Sequence, residues 1–359
     1  MAIYKKRILC LIDSLASGGA QRQMVGLASL LQEKGYELKV VTYYDIPFYN
    51  SFLEEKGVNY ESLQCGKGLF SRLSAINRAI KEFMPDVVIS YLDTPNIIAC
   101  ILKSKNRNWK LIVSERNTTQ QLSLRERIKF FLYRFANLIV PNSYSQGEFI
   151  SKKYPGLKKK CHVITNFVDT IAFSPSEEIK PSKTLRIVGV GRVSKQKNIP
   201  VLIKAVKDLI DRGYDIRVDW YGKRFGSYDE CSALIELYNL KMFKFHEPFN
   251  PITEKYREAD LFVLPSIYEG FPNVLCEAMA CGLPSVVSNV CDNGRIVEDG
   301  VNGYLFPPNS QEKLVEAIIS FINLTHVQRL SMRRKSREYA LKAFSSESFL
   351  TKYVDLIEI

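Results

Sequence analysis

Short apolar runs rich in β-branched side chains recur along the chain, separated by longer stretches whose apolar positions repeat every three to four residues. Six runs fall in the first half: Arg7–Asp13, Leu38–Thr42, Val87–Ser90, Leu111–Ser114, Leu138–Pro141 and Cys161–Ile164. Six more follow: Leu185–Val190, Ile216–Tyr221, Phe243–His246, Leu261–Leu264, Pro284–Ser288 and Tyr304–Phe306. Helical periodicity marks Gln21–Gln32, Leu124–Asn137, Ile199–Arg212 and Asn273–Ala280, then Gln311–Leu324, Val327–Ala343 and Glu347–Ile359 near the end. Strands alternating with helices predict parallel sheets. The polar stretch from Asp169 to Lys183, with Pro175 and Pro181, reads as a linker. The expectation is an α/β chain of two doubly wound, Rossmann-like domains, 1–170 and 171–345, with a last helix, 346–359, crossing back to the first. Ligands of such sheets bind beyond the carboxyl ends of the strands, so two of them would line one cleft.

Composition fits this picture: the 359 residues are 46% hydrophobic and 25% charged, which is globular, and the length suits two domains. Eight scattered cysteines form no Cys-x-x-Cys pair, which argues against a zinc site or a stapled secreted scaffold and for a reducing cytoplasm. Lys5-Lys6-Arg7 before Ile8–Ile12 resembles a signal peptide, but Asp13 ends the apolar run, and a first buried strand is the better reading. No run approaches the roughly 20 apolar residues that cross a bilayer, so membrane contact is expected to be peripheral. Charge is uneven. Residues 1–170 carry 25 Lys+Arg against 14 Asp+Glu, and residues 171–359 carry 25 against 24, so nearly all of the net +12 lies in the first half. That half is expected to face something anionic: a phospholipid surface, a lipid-linked phosphate or a nucleic acid.

Three segments could carry chemistry. In the first, Pro265 stops a strand, Ser266–Pro272 is turn-rich, and a helix starts at Asn273; Glu269 then sits in the loop and Glu277 in the second helical turn. Carboxylates suit paired sugar or ribose hydroxyls, and a helix amino end suits a diphosphate. The second is Gly191-Arg192-Val193-Ser194-Lys195-Gln196-Lys197 on a strand-to-helix turn. It lacks the glycine spacing of a dinucleotide fingerprint or a P-loop but offers cations to a phosphate. The third is Gly18-Gly19-Ala20, where small residues let backbone approach a ligand at a helix start.

In order, these segments resemble glycosyltransferase family 4, the retaining enzymes of the GT-B fold. The likeness extends over Asn166-Phe167-Val168-Asp169, Glu277-Ala278-Met279-Ala280-Cys281-Gly282-Leu283-Pro284 and Asp299-Gly300-Val301-Asn302-Gly303. It implies a nucleotide-sugar donor held in the second domain. Arg192 and Lys197 would hold the diphosphate, Glu277 the ribose and Glu269 the sugar. Gly191 and the amides of Phe271, Asn273 and Val274 would add contacts, with Gly18 and Gly19 approaching from the other domain. The family's mechanism is same-face attack with the departing diphosphate taking the acceptor's proton, which requires no cofactor and no metal, and no Asp-x-Asp motif is present. Two positions depart from the family: Glu115-Arg116-Asn117 stands where a histidine is usual, and Phe167 where a glycine is.

The segment Ser90–Asn96 is similar to one in bacterial transferases that add N-acetylhexosamines to lipid-linked diphosphates, which suggests a UDP-sugar and such an acceptor. The helix at Leu124–Asn137 mixes Arg125, Arg127, Lys129 and Arg134 with Phe130 and neighbouring aromatics. With Arg116, these are the candidates for acceptor contact or for an anionic membrane on its inner face. Lysines at 103, 105, 152, 153 and 158–160 and Arg107 add charge. The rival readings are two-carboxylate glycoside hydrolysis, a nucleotide-sugar epimerase of the same fold and a nucleic-acid-binding protein. The last is disfavoured because no nucleic-acid module is present.

Overall fold

The computed structural model describes residues 5–104, 108–119, 122–176 and 182–359. In the first half, β1 (Arg7–Leu11), β2 (Glu37–Thr42), β3 (Asn59–Ser62), β4 (Val87–Tyr91), β5 (Lys110–Glu115) and β6 (Leu138–Pro141) form one parallel sheet in the order β3-β2-β1-β4-β5-β6. In the second, β7 (Leu185–Val190), β8 (Ile216–Tyr221), β9 (Phe243–His246), β10 (Leu261–Leu264), β11 (Ser285–Ser288) and β12 (Gly303–Phe306) form another in the order β12-β11-β10-β7-β8-β9. Read from its own first strand, each sheet has the order 3-2-1-4-5-6. The order reverses between β1 and β4 in one sheet and between β7 and β10 in the other. Crossover helices diverge to opposite faces at such a reversal and leave a crevice at the carboxyl edge.

The chain divides into a unit of residues 1–167 with 347–359 and a unit of residues 168–346. Of the three C-terminal helices, His326–Phe344 packs in the second unit, where Arg337 donates to the carbonyls of Phe173 and Ala280. The last, Ser346–Glu358, buries Phe349, Tyr353 and Ile357 in the core of the first. There the Tyr353 and Tyr91 hydroxyls lie 2.9 Å apart.

Two strand assignments differ from expectation. Cys161–Ile164 is no ladder: it bridges Ile139 once and runs beside β6 through the amides of His162 and Ile164. Its place as sixth strand is taken by β3, a polar edge segment paired to β2, with Lys39 on Glu61.

Both departures from the family pattern have packing reasons. Phe167 lays its ring on the glycine face of helix Gly19–Glu33, where a Cβ at Gly26 would come within 2.4 Å of it. Gln23 pins the Phe167 backbone by two hydrogen bonds, at 2.9 and 3.0 Å, and Phe349 packs against the ring. Glu115 and Arg116 are both buried. Arg116 lies over the Tyr91 ring at 3.8 Å and donates to Asn166 Oδ1 and the Tyr353 hydroxyl, fastening the last helix to the sheet.

The basic helix needs correction. It ends at Leu132 and tightens into a 3-10 turn, Tyr133–Phe135. Lys129 and Phe130 face inward, so neither reaches a membrane or an acceptor at the surface. Phe130 packs on the rings of Tyr133 and Tyr154. The Lys129 ammonium sits 2.9 Å from Glu115, 3.0 Å from Asp93 and 2.8 Å from Glu126. Arg116, held inside as described, leaves the surface set too. Arg125, Arg127 and Arg134 remain exposed. Lys103 and Lys160 tie down the backbone carbonyls of Trp109 and Ala136, while Lys105 and Arg107 lie outside the described residues.

Candidate functional site

The second sheet's reversal point gathers two loops, one leaving β7 and one leaving β10. After β7 the chain turns at Gly191, whose φ of +145° is glycine territory. A Cβ there would also meet the Lys197 side chain at 2.8 Å. Trp220 of β8 supports the turn by donating its indole N–H to the Gly191 carbonyl at 2.7 Å. A 3-10 turn, Lys195–Lys197, and Asn198 in the left-handed region then launch helix Ile199–Asp211.

After β10, Ser266–Pro272 carries Glu269 back toward that turn. Glu269 is 5% exposed, and its Oε1 accepts from Lys197 Nζ at 2.6 Å and from the Ser266 hydroxyl at 2.5 Å. The two loops are joined at one further residue. The Gln196 carbonyl accepts the Ile267 amide at 2.8 Å, and its side-chain amide donates to the Tyr268 carbonyl at 3.0 Å and toward Glu269 Oε2 at 3.5 Å. Lys197 is thus held at the crevice by a carboxylate that is itself fixed from three sides, and an ion pair so placed is preorganised for a polar ligand.

Helix Asn273–Ala280 begins where this loop ends. Glu277, also buried, has the Tyr256 hydroxyl 3.5 Å from Oε2. The helix amino end is partly engaged. The Asn273 amide donates to the Phe271 carbonyl at 2.9 Å, whereas those of Phe271 and Val274 have no acceptor among the described residues. Arg192 is exposed, its guanidinium 5.3 Å from the centre of the Phe225 ring. The unit therefore brings together Gly191, Lys197, Glu269 and the start of the Glu277 helix, with Arg192 extending from the same turn.

In the first unit, Gly18 caps helix Gly19–Glu33 in extended backbone, φ −167°, which any residue adopts. A Cβ there would meet only the flexible end of Gln21, whose side-chain amide is turned onto Asp13. Gly18 and Gly19 follow β1 at that sheet's own reversal point.

Sequence reasoning missed Gln196 and Ser266. The signal available was local: Ser266 stands three residues before Glu269 in a turn, and Gln196 lies between the two lysines of the cationic loop. If this unit takes the nucleotide-sugar donor that the sequence resemblance implies and Gln196 braces Glu269, Gln196→Ala leaves nucleoside diphosphate affinity unchanged. The same change lowers turnover of a nucleotide sugar about tenfold, the loss of one charge-assisted hydrogen bond. Calorimetry and steady-state kinetics on the two proteins check this. Equal loss of nucleotide affinity would assign the residue to the phosphates instead.

Comparison with known proteins gives the family. Residues 17–171 match the family described as Glycosyltransferase Family 4, and residues 171–343 match Glycosyl transferases group 1. The chain is similar to the N-acetylgalactosamine-N,N'-diacetylbacillosaminyl-diphospho-undecaprenol 4-alpha-N-acetylgalactosaminyltransferase of Campylobacter jejuni. That likeness is 28% identity over 329 residues, 86% of this chain and 87% of the relative. A second Campylobacter jejuni enzyme, named as an alpha-1,4-N-acetyl-D-galactosaminyltransferase acting on a diphospho-undecaprenol glycan, is 25% identical over 88% of this chain and 89% of its own. Among solved structures, a glycosyltransferase of Rickettsia africae matches with a TM-score of 0.85 at 17% identity, over 99% of this chain and 98% of its own. HepE of Anabaena, solved in complex with UDP, matches with a TM-score of 0.85 at 21% identity, over 98% and 99%.

Proposed function

Since the chain belongs to the glycosyltransferases, its first half to family 4 and its second to group 1, with the GT-B fold, we propose that it moves a hexose or N-acetylhexosamine from a UDP-sugar to a lipid-diphosphate-linked glycan, with retention. The observation that carries the reading is the Lys197–Glu269 pair, with its carboxylate buried, at the reversal point of the second sheet, beside the amino end of the Glu277 helix. Support for the donor comes from the UDP bound in the Anabaena structure, and for the acceptor from the diphospho-undecaprenol glycans named for both Campylobacter relatives.

In this reading Lys197 and Arg192 neutralise the diphosphate, Glu277 takes the ribose hydroxyls, and Glu269 accepts hydrogen bonds from sugar hydroxyls. The amides of Phe271 and Val274 add donors. The bond from C1 to the phosphate oxygen breaks as the bond from C1 to the acceptor oxygen forms on the same face. The acceptor's proton passes to the departing phosphate oxygen, so no side chain need act as nucleophile or base. Lys197 and Arg192 stabilise the charge that grows on the leaving group. The acceptor places the enzyme at the inner face of a membrane, with exposed Arg125, Arg127 and Arg134 toward anionic lipid. Among the described residues no helix is long and apolar enough to cross one.

The test is a panel of UDP-, GDP- and ADP-sugars, scored by thermal shift and then by transfer to an undecaprenyl-diphosphate glycan. UDP-sugars should stabilise and turn over, giving an α-linked product from an α-linked donor by NMR. A β-linked product would refute retention, and turnover confined to GDP- or ADP-sugars would refute the base assignment.

A further inference from the structure

Next to the loops leaving β7 and β10 runs a third, the one leaving β11. Since β11 pairs with β10 in parallel, the carboxyl ends of the two strands lie side by side, and Ser288 emerges next to the loop that bears Glu269. Ser288 is fully buried, and its hydroxyl donates to the Ser266 carbonyl at 2.5 Å. The Ser288 carbonyl accepts the Val290 amide at 2.9 Å and the Asn293 side-chain amide at 2.9 Å, which folds residues 288–293 into a turn. This loop is therefore rooted on Ser266, the residue whose own hydroxyl donates to Glu269 Oε1.

Cys291 stands in the turn with a φ of +48°. A side chain is strained in that left-handed region where glycine is not, and a strained residue persists only where its surroundings fix it. The contact made here is to Glu269: the Cys291 sulfur accepts the Glu269 backbone amide at 3.5 Å. Burial pushes the thiol up from its ordinary value, against the pull of that amide and with Asp292 and Glu269 adding to the rise, so the sulfur meets the amide as a neutral thiol. Glu269 is thus held at both ends. Lys197 at 2.6 Å and Ser266 fix its carboxylate, and Cys291 fixes its backbone. Hydrogen bonds weaken steeply with misalignment, and a misplacement of about 1 Å can cost about a hundredfold in rate, so the seat of this backbone governs how well the carboxylate meets a ligand hydroxyl.

We propose that Cys291 is a positioning residue for sugar transfer: from the loop after β11 its sulfur sets the backbone of Glu269, and through it the carboxylate that receives the donor's sugar. The inference rests on the proposed donor reading and adds to it a residue that acts on the donor only through Glu269.

Three variants separate positioning from support of the fold. Cys291→Gly removes the sulfur and relieves the backbone, so it should melt close to the wild-type temperature, the relief offsetting the greater freedom of the unfolded chain. Its kcat with the nucleotide sugar that the wild type turns over should nevertheless fall about tenfold, while KM and the calorimetric affinity for UDP stay within about twofold of wild type. Cys291→Ala should behave in the same way, and Cys291→Ser, which restores an acceptor, should lose no more than about threefold. Because the sulfur acts through one carboxylate, Glu269→Gln/Cys291→Ala should turn over no more slowly than Glu269→Gln alone. Wild-type kcat in the glycine and alanine variants overturns the proposal, as does a serine variant that falls as far as alanine or a further tenfold loss in the double variant. A parallel loss of UDP affinity overturns it too, since the loop would then serve the nucleotide. Wild-type turnover in Glu269→Gln would bring down the donor reading itself, whereas an inactive Glu269→Gln beside fully active Cys291 variants brings down this inference alone.

Discussion

Replacing Glu269 by glutamine should lower turnover about a thousandfold, equivalent to about 4 kcal/mol of transition-state stabilisation, while the protein melts close to the wild-type temperature. The substitution keeps the shape and an acceptor oxygen for the Ser266 hydroxyl, which lies 2.5 Å from Glu269 Oε1. It removes the charge that holds Lys197 at 2.6 Å and one of the two oxygens available to a sugar's hydroxyls. Each charge-assisted hydrogen bond is worth about 1.5–3 kcal/mol, so losing a paired contact and a placed cation reaches the stated size. Binding of UDP alone should weaken far less than turnover, because the reading gives the ribose to Glu277 and the substitution disturbs only the placement of Lys197 on the phosphates. Steady-state kinetics together with UDP titration separate these effects. Wild-type turnover in Glu269→Gln would remove this residue from the site.

Lys129→Met should be the most destabilising change in the first unit. The ammonium is 2% exposed and lies between Glu115, Asp93 and Glu126, so its loss strands carboxylates that have little water to turn to. Breaking a buried pair from one side costs about 3–5 kcal/mol. For a unit of this size that lowers its thermal transition by roughly 10 °C. Adding Glu115→Gln should return part of the loss, and a double-mutant cycle measures the coupling.

The same cluster has a pH signature. Burial pushes the Glu115 carboxyl up from its ordinary value of 4.5, against the pull of Lys129 and the Tyr133 hydroxyl that donates to it. A carboxyl whose pKa is raised on folding stabilises the fold below its unfolded pKa, and that contribution fades as pH rises through the raised value. The difference in melting temperature between wild type and Glu115→Gln should therefore shrink as pH climbs from about 4.5 toward neutrality.

The strands that were legible in the sequence are those buried on both faces. Leu185–Val190 and Leu261–Leu264 are almost wholly apolar and β-branched or leucine-rich, and they lie at the centre of their sheet. β3 was illegible because Asn59-Tyr60-Glu61-Ser62 is an edge strand with no buried residue, stabilised by backbone pairing and a charge pair that no hydrophobic pattern records. Cys161–Ile164 has the right pattern but follows the 3-10 turn Pro155–Lys160 and meets the sheet at a single bridge.

At the donor site, Glu269, Glu277 and Lys197 were legible as residue types on a loop and two helix starts. Their mutual geometry was not, since it depends on Gln196 stitching together loops more than 70 residues apart. The basic helix misled for a related reason. Glu115 ends a strand buried at every residue but its first, and a buried acid calls for a buried cation. Lys129 answers it from a helix whose neighbouring arginines do face solvent.

The central claim, that Glu277 and Glu269 clamp a nucleotide sugar from its two ends, is tested most directly by calorimetric titration of Glu277→Ala with UDP and with the UDP-sugar that the wild type turns over. Loss of two charge-assisted hydrogen bonds to the ribose predicts that both ligands bind about a hundredfold more weakly than to the wild type, with the extra affinity contributed by the sugar preserved. Wild-type affinity for UDP in Glu277→Ala would contradict the account.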